Sequence, residues 1–253
     1  MRFVCVAGQH PGATERQQLL VLFPSPSQAG PTSSVPGHSP GRVRRRSLVR
    51  NVDDDKTAIR ELVENWAVWR DAGDWDRFAT VWHPTGGWMS ATWFQGPATE
   101  FIDKSRAGFE AGVSILHFLG GHSADVADDR AIAQTKMVIS QRAAVDGVDV
   151  DVSCTGRFYD FLTHHDGRWT IVRRQPIYEK DRLDVVDPAD GLALDHDLLR
   201  EFPSGYRYLG YVQTKAGFTV KKGLPGLTGA AVHQLYNEGA TWLAGAETPG
   251  VPL

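Results

Sequence analysis

Apolar residues recur at Ile59, Leu62, Val63, Trp66 and Trp69, in steps of three and four that place them on one helical face. Asp53, Asp54 and Asp55 precede them and offer N-caps and favourable charge at a helix start. Asp71-Ala-Gly-Asp ends this helix. A second runs through Trp75, Phe78, Val81 and Trp82 and stops at His83-Pro-Thr-Gly-Gly, where Pro and Gly terminate it. The aromatic stretch Trp88 to Phe94 predicts a strand. Pro97 suits a first helical turn, and Thr99 to Gly112 places Phe101, Ile102, Ser105 and Phe109 on one face.

From Ser114 the pattern becomes one of strands. Ser114 to Leu119 is apolar and ends at Gly120-Gly121; Ala131 to Arg142 follows the turn Asp128-Asp129. Val148, Val150 and Val152 alternate with Asp149, Asp151 and Ser153, the signature of a half-buried strand, and this strand continues through Phe158 and Phe161. The turn His164-His165-Asp166-Gly167 has Asp-Gly hairpin chemistry, and Arg168 to Tyr178 returns as the last strand. Helix, helix, strand, helix and four antiparallel strands predict an α+β fold. The expected form is a cone-shaped α+β barrel: a curved antiparallel sheet packed on three N-terminal helices around one apolar pocket.

This domain is expected over residues 51–188. A C-terminal extension, 189–253, carries a short helix within Leu192 to Phe202, a loop from Gly217 to Pro225 and a final helix within Thr228 to Ala244. Its segment YRYLGYVQTKAGFTV is unusually aromatic and is expected to dock over the pocket mouth or on a neighbouring subunit.

Charge divides the chain. Residues 1–50 hold seven Arg and one Glu, a net of +6, which leaves −9 for the remainder of a chain whose total is −3. With Pro, Gly and Ser dense from Pro24 to Pro40, residues 1–50 are expected to be a disordered basic leader; a targeting presequence and an upstream start site are the alternatives. The cluster Arg42, Arg44, Arg45, Arg46 reads as a solvated linker end rather than a nucleic-acid patch. The overall charge suggests no nucleic-acid partner, and no run of eighteen apolar residues suggests a membrane span. The two cysteines, Cys5 and Cys154, allow neither a disulfide framework nor a CxxC metal site and fit a cytoplasmic protein.

Four stretches carry a family resemblance: IRELVENWAVWRDAGDWDRFATVW, GGWMSATWFQG, SILHFLGGHSADV and GRFYDFLTHHDGRWTIVRRQPIYEKDR. In their order and spacing they resemble the SnoaL-like branch of the nuclear-transport-factor-2-like superfamily, over roughly Asp53 to Asp187. The resemblance places Asp71 and His117 where hexachlorocyclohexane dehydrochlorinase, scytalone dehydratase and bile-acid 7α-dehydratase carry an Asp/His pair, in which His takes a proton and Asp holds it. The catalytic Tyr or Lys of some members has no counterpart: Trp66 stands five residues before Asp71.

The residues themselves allow that chemistry. His117 lies among Ile115, Leu116, Phe118 and Leu119. Burial there disfavours its charged form and leaves the neutral imidazole needed in a general base. Asp71 would fix its tautomer. Alternatively, His117 is a core histidine bonded to backbone and Asp71 an ordinary helix-end acid, although an acid there opposes the helix dipole.

Trp66, Trp82, Trp93, Phe118, Tyr159, Tyr178 and Arg173 are expected to line the pocket and bind substrate, a small apolar, aromatic or polycyclic molecule. Arg157 and Arg174 are further strand arginines. His122 is expected on the pocket rim or facing solvent, His164 and His165 in an exposed turn, Asp74 and Asp76 as caps of the second helix. His83, His117 and His122 lack helical i, i+4 spacing and HEXXH is absent, so no metal and no other cofactor is expected. No GxSxG offers a serine nucleophile. Three functions compete: a cofactor-independent lyase, an isomerase or cyclase acting on a polyketide- or steroid-like substrate, and a non-catalytic binding or assembly subunit. A homo-oligomer, dimer or trimer, is expected.

Overall fold

The computed structural model describes residues 50–246. Residues 1–49 of the expected leader, with Cys5 and the Arg42–Arg46 cluster, lie outside the described residues, as do residues 247–253. Among the described residues no helix is long and apolar enough to cross a membrane.

Helix α1 spans Val52–Asp71. Its cap is Asn51, whose side chain accepts from Asp53 N–H, so the three aspartates expected as caps fill the first turn instead, where their charge is favourable at the dipole's positive end. Helix α2 is shorter than expected, Trp75–Ala79. Asp74 caps it, accepting from Arg77 N–H. The predicted strand Trp88 to Phe94 is instead a small hairpin of β1 (Trp88–Ser90) and β2 (Gln95–Pro97), followed by α3 (Ala98–Glu110).

Four long strands follow: β3 (Ser114–Ala127), β4 (Arg130–Val145), β5 (Val148–His165) and β6 (Arg168–Val185). Asp146-Gly147 and Asp166-Gly167 hold positive φ at two of the hairpin tips, the conformation that two-residue turns of matching twist require. The sheet order is β2-β1-β6-β5-β4-β3. All pairings are antiparallel except β1 with β6, which is parallel. The sheet is curved and unclosed, with β2 and β3 at its edges.

The bends are written in bulges, which increase twist and redirect a strand. Strand β3 does not end at Gly120-Gly121 as expected: a register shift between Leu119 and His122 absorbs both glycines. A second shift falls at Thr155/Gly156. A Cβ on Gly156 would lie 2.0 Å from Ile177 O, so only glycine permits this approach. A third shift lies at Phe161/Leu162.

Helices α1 to α3 cover the concave face, where Ile59, Val63, Trp66, Phe78 and Phe101 join Phe158, Leu162 and Ile171 in the main core. Beyond β6 come α4 (His196–Arg200), α5 (Arg207–Lys215) and α6 (Ala230–Leu243). Leu209, Tyr211 and Val212 of α5 belong to the same core. Asp181 on β6 anchors this helix by accepting Leu209 N–H at 2.8 Å. Helix α6 packs on the convex face, where Val232, Leu235 and Trp242 meet Ile132, Phe161, Val172 and Ile177 in a second cluster. A Cβ on Gly239 would lie 2.0 Å from the Tyr159 hydroxyl, so this helix lies close on the sheet.

Candidate active site

Asp71 is the last residue of α1. A carboxylate there faces the negative end of the helix dipole, and three donors compensate it. Its Oδ1 accepts from His117 Nδ1 at 2.9 Å and from Arg70 Nη1 at 3.2 Å, while Oδ2 accepts the backbone N–H of His117 at 2.5 Å. Arg70 Nη1 also donates to Ile115 O at 3.1 Å. One carboxylate therefore ties the end of α1 to β3 and orients the imidazole.

Alternation along β3 puts Ile115, His117 and Leu119 on the concave face. The His117 side chain is only 7% exposed. Its ring packs edge-on to Trp66, with centroids 5.1 Å apart, and lies 6.0 Å from Phe158. Desolvation is the main influence on His117 and, with the charges of Arg70 and Arg174, holds its pKa below the ordinary histidine value despite the opposing pull of Asp71. Burial alone would raise Asp71; its bonds and attraction to His117, with the Arg70 charge, overcome that and leave it below the usual carboxylate range. At neutral pH the pair is therefore an aspartate and a neutral imidazole with its proton on Nδ1, which leaves Nε2 as the basic nitrogen.

His117 borders a small chamber of about 40 Å³. Trp66, Trp93 and Tyr178 line it as expected, together with Phe101 and Phe158. Sequence reasoning missed its polar wall: Arg70, Thr92, Gln141 and Gln213. Thr92 Oγ1 donates to Gln213 Oε1 at 2.6 Å, and Gln213 Nε2 reaches Gln141 Oε1 at 3.4 Å. Burial pushes the Tyr178 phenol far up, against the opposing influence of hydrogen bonds with Thr92, so it stays protonated. A wider outer cavity of about 360 Å³ adjoins the chamber and shares Arg70, Trp93, Ile115, Gln141 and Gln213 with it. Gln213 comes from α5, so a helix that follows the last strand supplies part of the wall.

Four expected pocket residues lie elsewhere. Phe118 points to the convex side and is 77% exposed, because it alternates with His117. Tyr159 also faces the convex side, packed on Tyr236 of α6. Arg173 does the same, bonded to Glu238 of α6 at 2.7 Å. Trp82 is buried against Phe78 and Phe101, behind the chamber wall. Arg157 pairs with Glu179 and Gln134.

Arg174 is the inward arginine. It makes a bidentate pair with Asp160 at 2.6 and 2.7 Å, both side chains fully buried. Its guanidinium lies 3.9 Å from the Phe158 ring centroid and 4.3 Å from that of Trp66, beneath the rings that contact His117. His122 is half-buried and bonds Thr135 Oγ1 at 2.7 Å, away from the chamber. His164 packs on Trp169 and His165 lies beside His83. Burial raises the Cys154 thiol, which donates to Gly205 O and has a packing role. Among the described residues no group of three or more His, Cys, Asp or Glu could hold a metal ion.

Residues 53–175 match the SnoaL-like domain. A PEP2-like protein of Fusarium vanettenii is 33% identical over 220 residues, which cover 81% of this chain and 94% of that protein. The chain belongs to the SnoaL-like family. Pea pathogenicity protein 2 of the same fungus is 35% identical over 192 residues, covering 72% of this chain and 82% of that protein. Among solved structures, hexachlorocyclohexane dehydrochlorinase type 3 from Novosphingobium barchaimii LL02 aligns with a TM-score of 0.45 at 11% identity, over 56% of this chain and 97% of that one. The SnoaL-like span includes Arg70, Asp71 and His117; Tyr178, Leu209 and Gln213 of the chamber wall lie beyond it.

Proposed function

We propose that this SnoaL-like protein is a cofactor-independent lyase of dehydratase or dehydrohalogenase type, acting on a small apolar or aromatic molecule. The observation that carries this reading is the Asp71–His117 bond of 2.9 Å at the wall of a small, largely apolar chamber. A neutral imidazole in a buried site, oriented by a carboxylate that also stabilises its protonated form, is a competent general base.

In the proposed reaction His117 Nε2 takes a proton from carbon. The freed electron pair forms the double bond as the neighbouring C–O or C–halogen bond breaks. Halide leaves as the anion; hydroxide leaves as water, taking the proton that the imidazolium returns. Tyr178, held protonated by burial, donates a hydrogen bond to the substrate oxygen where charge develops. It takes the part that a tyrosine near Asp71 would have played. The chamber admits the reacting carbon and its substituent, and the bulk of the molecule occupies the outer cavity, whose volume falls within the range of ligand pockets.

A second reading has an observation of its own. The chamber is narrow because Trp66, Phe101 and Phe158 crowd it, which favours a module that binds without chemistry. Proton exchange separates the two. In D₂O, wild type incubated with a panel of aromatic ketones and β-hydroxy ketones should exchange or eliminate the proton beside the carbonyl, and His117→Ala should not. Exchange at equal rates with both proteins would refute the lyase reading. An isomerase or cyclase would show the same exchange with no loss of mass from the substrate.

A further inference from the structure

The two cavities meet at Arg70. Its side chain is 7% exposed, and among the described residues its hydrogen bonds run from Nη1, to Asp71 Oδ1 and Ile115 O. Nε is buried without a partner among the described residues. A guanidinium is a rigid fork of donors that fits a carboxylate by two parallel bonds. Leaving such donors idle in a buried site is costly. Nη2 also makes no hydrogen bond among the described residues and, unlike Nε, is not sealed from the cavities, so a ligand oxygen can reach it.

The outer cavity has the chemistry to supply one. Lys104 of α3 borders it as an exposed residue. Ser105 beside it is buried with Oγ unpartnered. Among the described residues neither an Asp nor a Glu borders this cavity; its other polar residues are the neutral Gln141 and Gln213. Aromatic rings of Trp93, Phe109 and Phe218 form much of the remaining wall. Asp71 offsets one positive charge, and Lys104 leaves the cavity cationic.

We propose that the outer cavity binds an aromatic carboxylate, with its ring between Trp93, Phe109 and Phe218 and its carboxylate held by Arg70 and Lys104. The assignment of this ligand as a substrate rests on the lyase reading; its binding rests on the cavity alone. A neutral molecule of the same shape would leave the excess positive charge of the cavity unmatched, so the cavity selects by charge as well as by size.

Calorimetric titration with 2-naphthoate and with its neutral isostere 2-naphthamide tests this without any turnover. Charge-assisted hydrogen bonds predict that naphthoate binds wild type about tenfold tighter or more. Lys104→Gln, at an exposed helix position, should weaken naphthoate about threefold and leave naphthamide unchanged. Arg70→Lys keeps the charge but loses the fork, and should weaken naphthoate further than Lys104→Gln does. Equal affinity of wild type for the two ligands would overturn the proposal, as would a naphthoate preference untouched by both substitutions. A missing preference alongside His117-dependent proton exchange would remove this inference alone; intact preference without exchange would remove the lyase reading alone.

Discussion

Asp71 grips His117 twice, through the backbone N–H at 2.5 Å and through the ring Nδ1 at 2.9 Å. The first bond belongs to the fold, because it joins the end of α1 to β3. The second belongs to chemistry, because it fixes which imidazole nitrogen carries the proton. Both bonds come from one carboxylate, so architecture and candidate base are set together.

Replacing that carboxylate by an amide should separate the two roles. Asp71→Asn can still accept one of the two bonds, so the chain is expected to fold, with some loss of melting temperature. The ring loses its fixed tautomer and the negative charge that stabilises the imidazolium. On a substrate found by proton exchange, kcat/KM should fall by about 10²- to 10⁴-fold, because the base loses the carboxylate that orients it and stabilises its charged form. Steady-state kinetics and thermal melting on the same preparations check this.

Acid should destabilise the fold through this pair. His117 is held below its ordinary value of 6.5, so as pH falls below 6.5 the unfolded chain binds a proton that the folded chain refuses. Its contribution is complete above that value and declines as pH falls towards the native pKa. Asp71 is held below its ordinary 3.8; its contribution is present above that value and is lost as pH falls through the lower native one. Urea unfolding across this range should show stability falling with acid, and His117→Gln should flatten the histidine portion of the slope.

The pair Asp160–Arg174 supports the aromatic floor from beneath. Asp160→Asn leaves a fully buried guanidinium without its counter-charge, which is expected to cost about 3–5 kcal/mol. The double variant Asp160→Asn with Arg174→Met removes the stranded charge and should recover much of that loss. Equilibrium unfolding of both variants measures the difference.

Much of this is legible in the sequence. The i, i+3, i+4 spacing from Ile59 to Trp69 marks α1, the valine alternation marks the start of β5, and Asp-Gly marks the tip before β6. What cannot be read is which face a strand residue takes once both faces are covered. From Phe158 to Leu162 every residue is buried, because α6 packs the convex side that alternation alone would leave to solvent. Bulges at Thr155/Gly156 and Phe161/Leu162 also shift the register. Sequence reasoning therefore assigns Tyr159 and Arg173 to the pocket although they face α6. It misses Gln213 because that residue arrives from a helix beyond the sheet, with no local pattern to announce it. Arg70 has a signal: an arginine beside the acid that ends α1, at a position one helical turn from Trp66.

The protonation state of the His117 ring decides whether the pair can act as a base. Nitrogen-15 NMR of the histidines in the folded protein, titrated against pH and assigned with His117→Gln, tests it without knowledge of the substrate. The account predicts a neutral His117 protonated on Nδ1 with Nε2 bare, and a titration midpoint below 6.5. A midpoint at or above that value, or a proton resident on Nε2 at neutral pH, would contradict it.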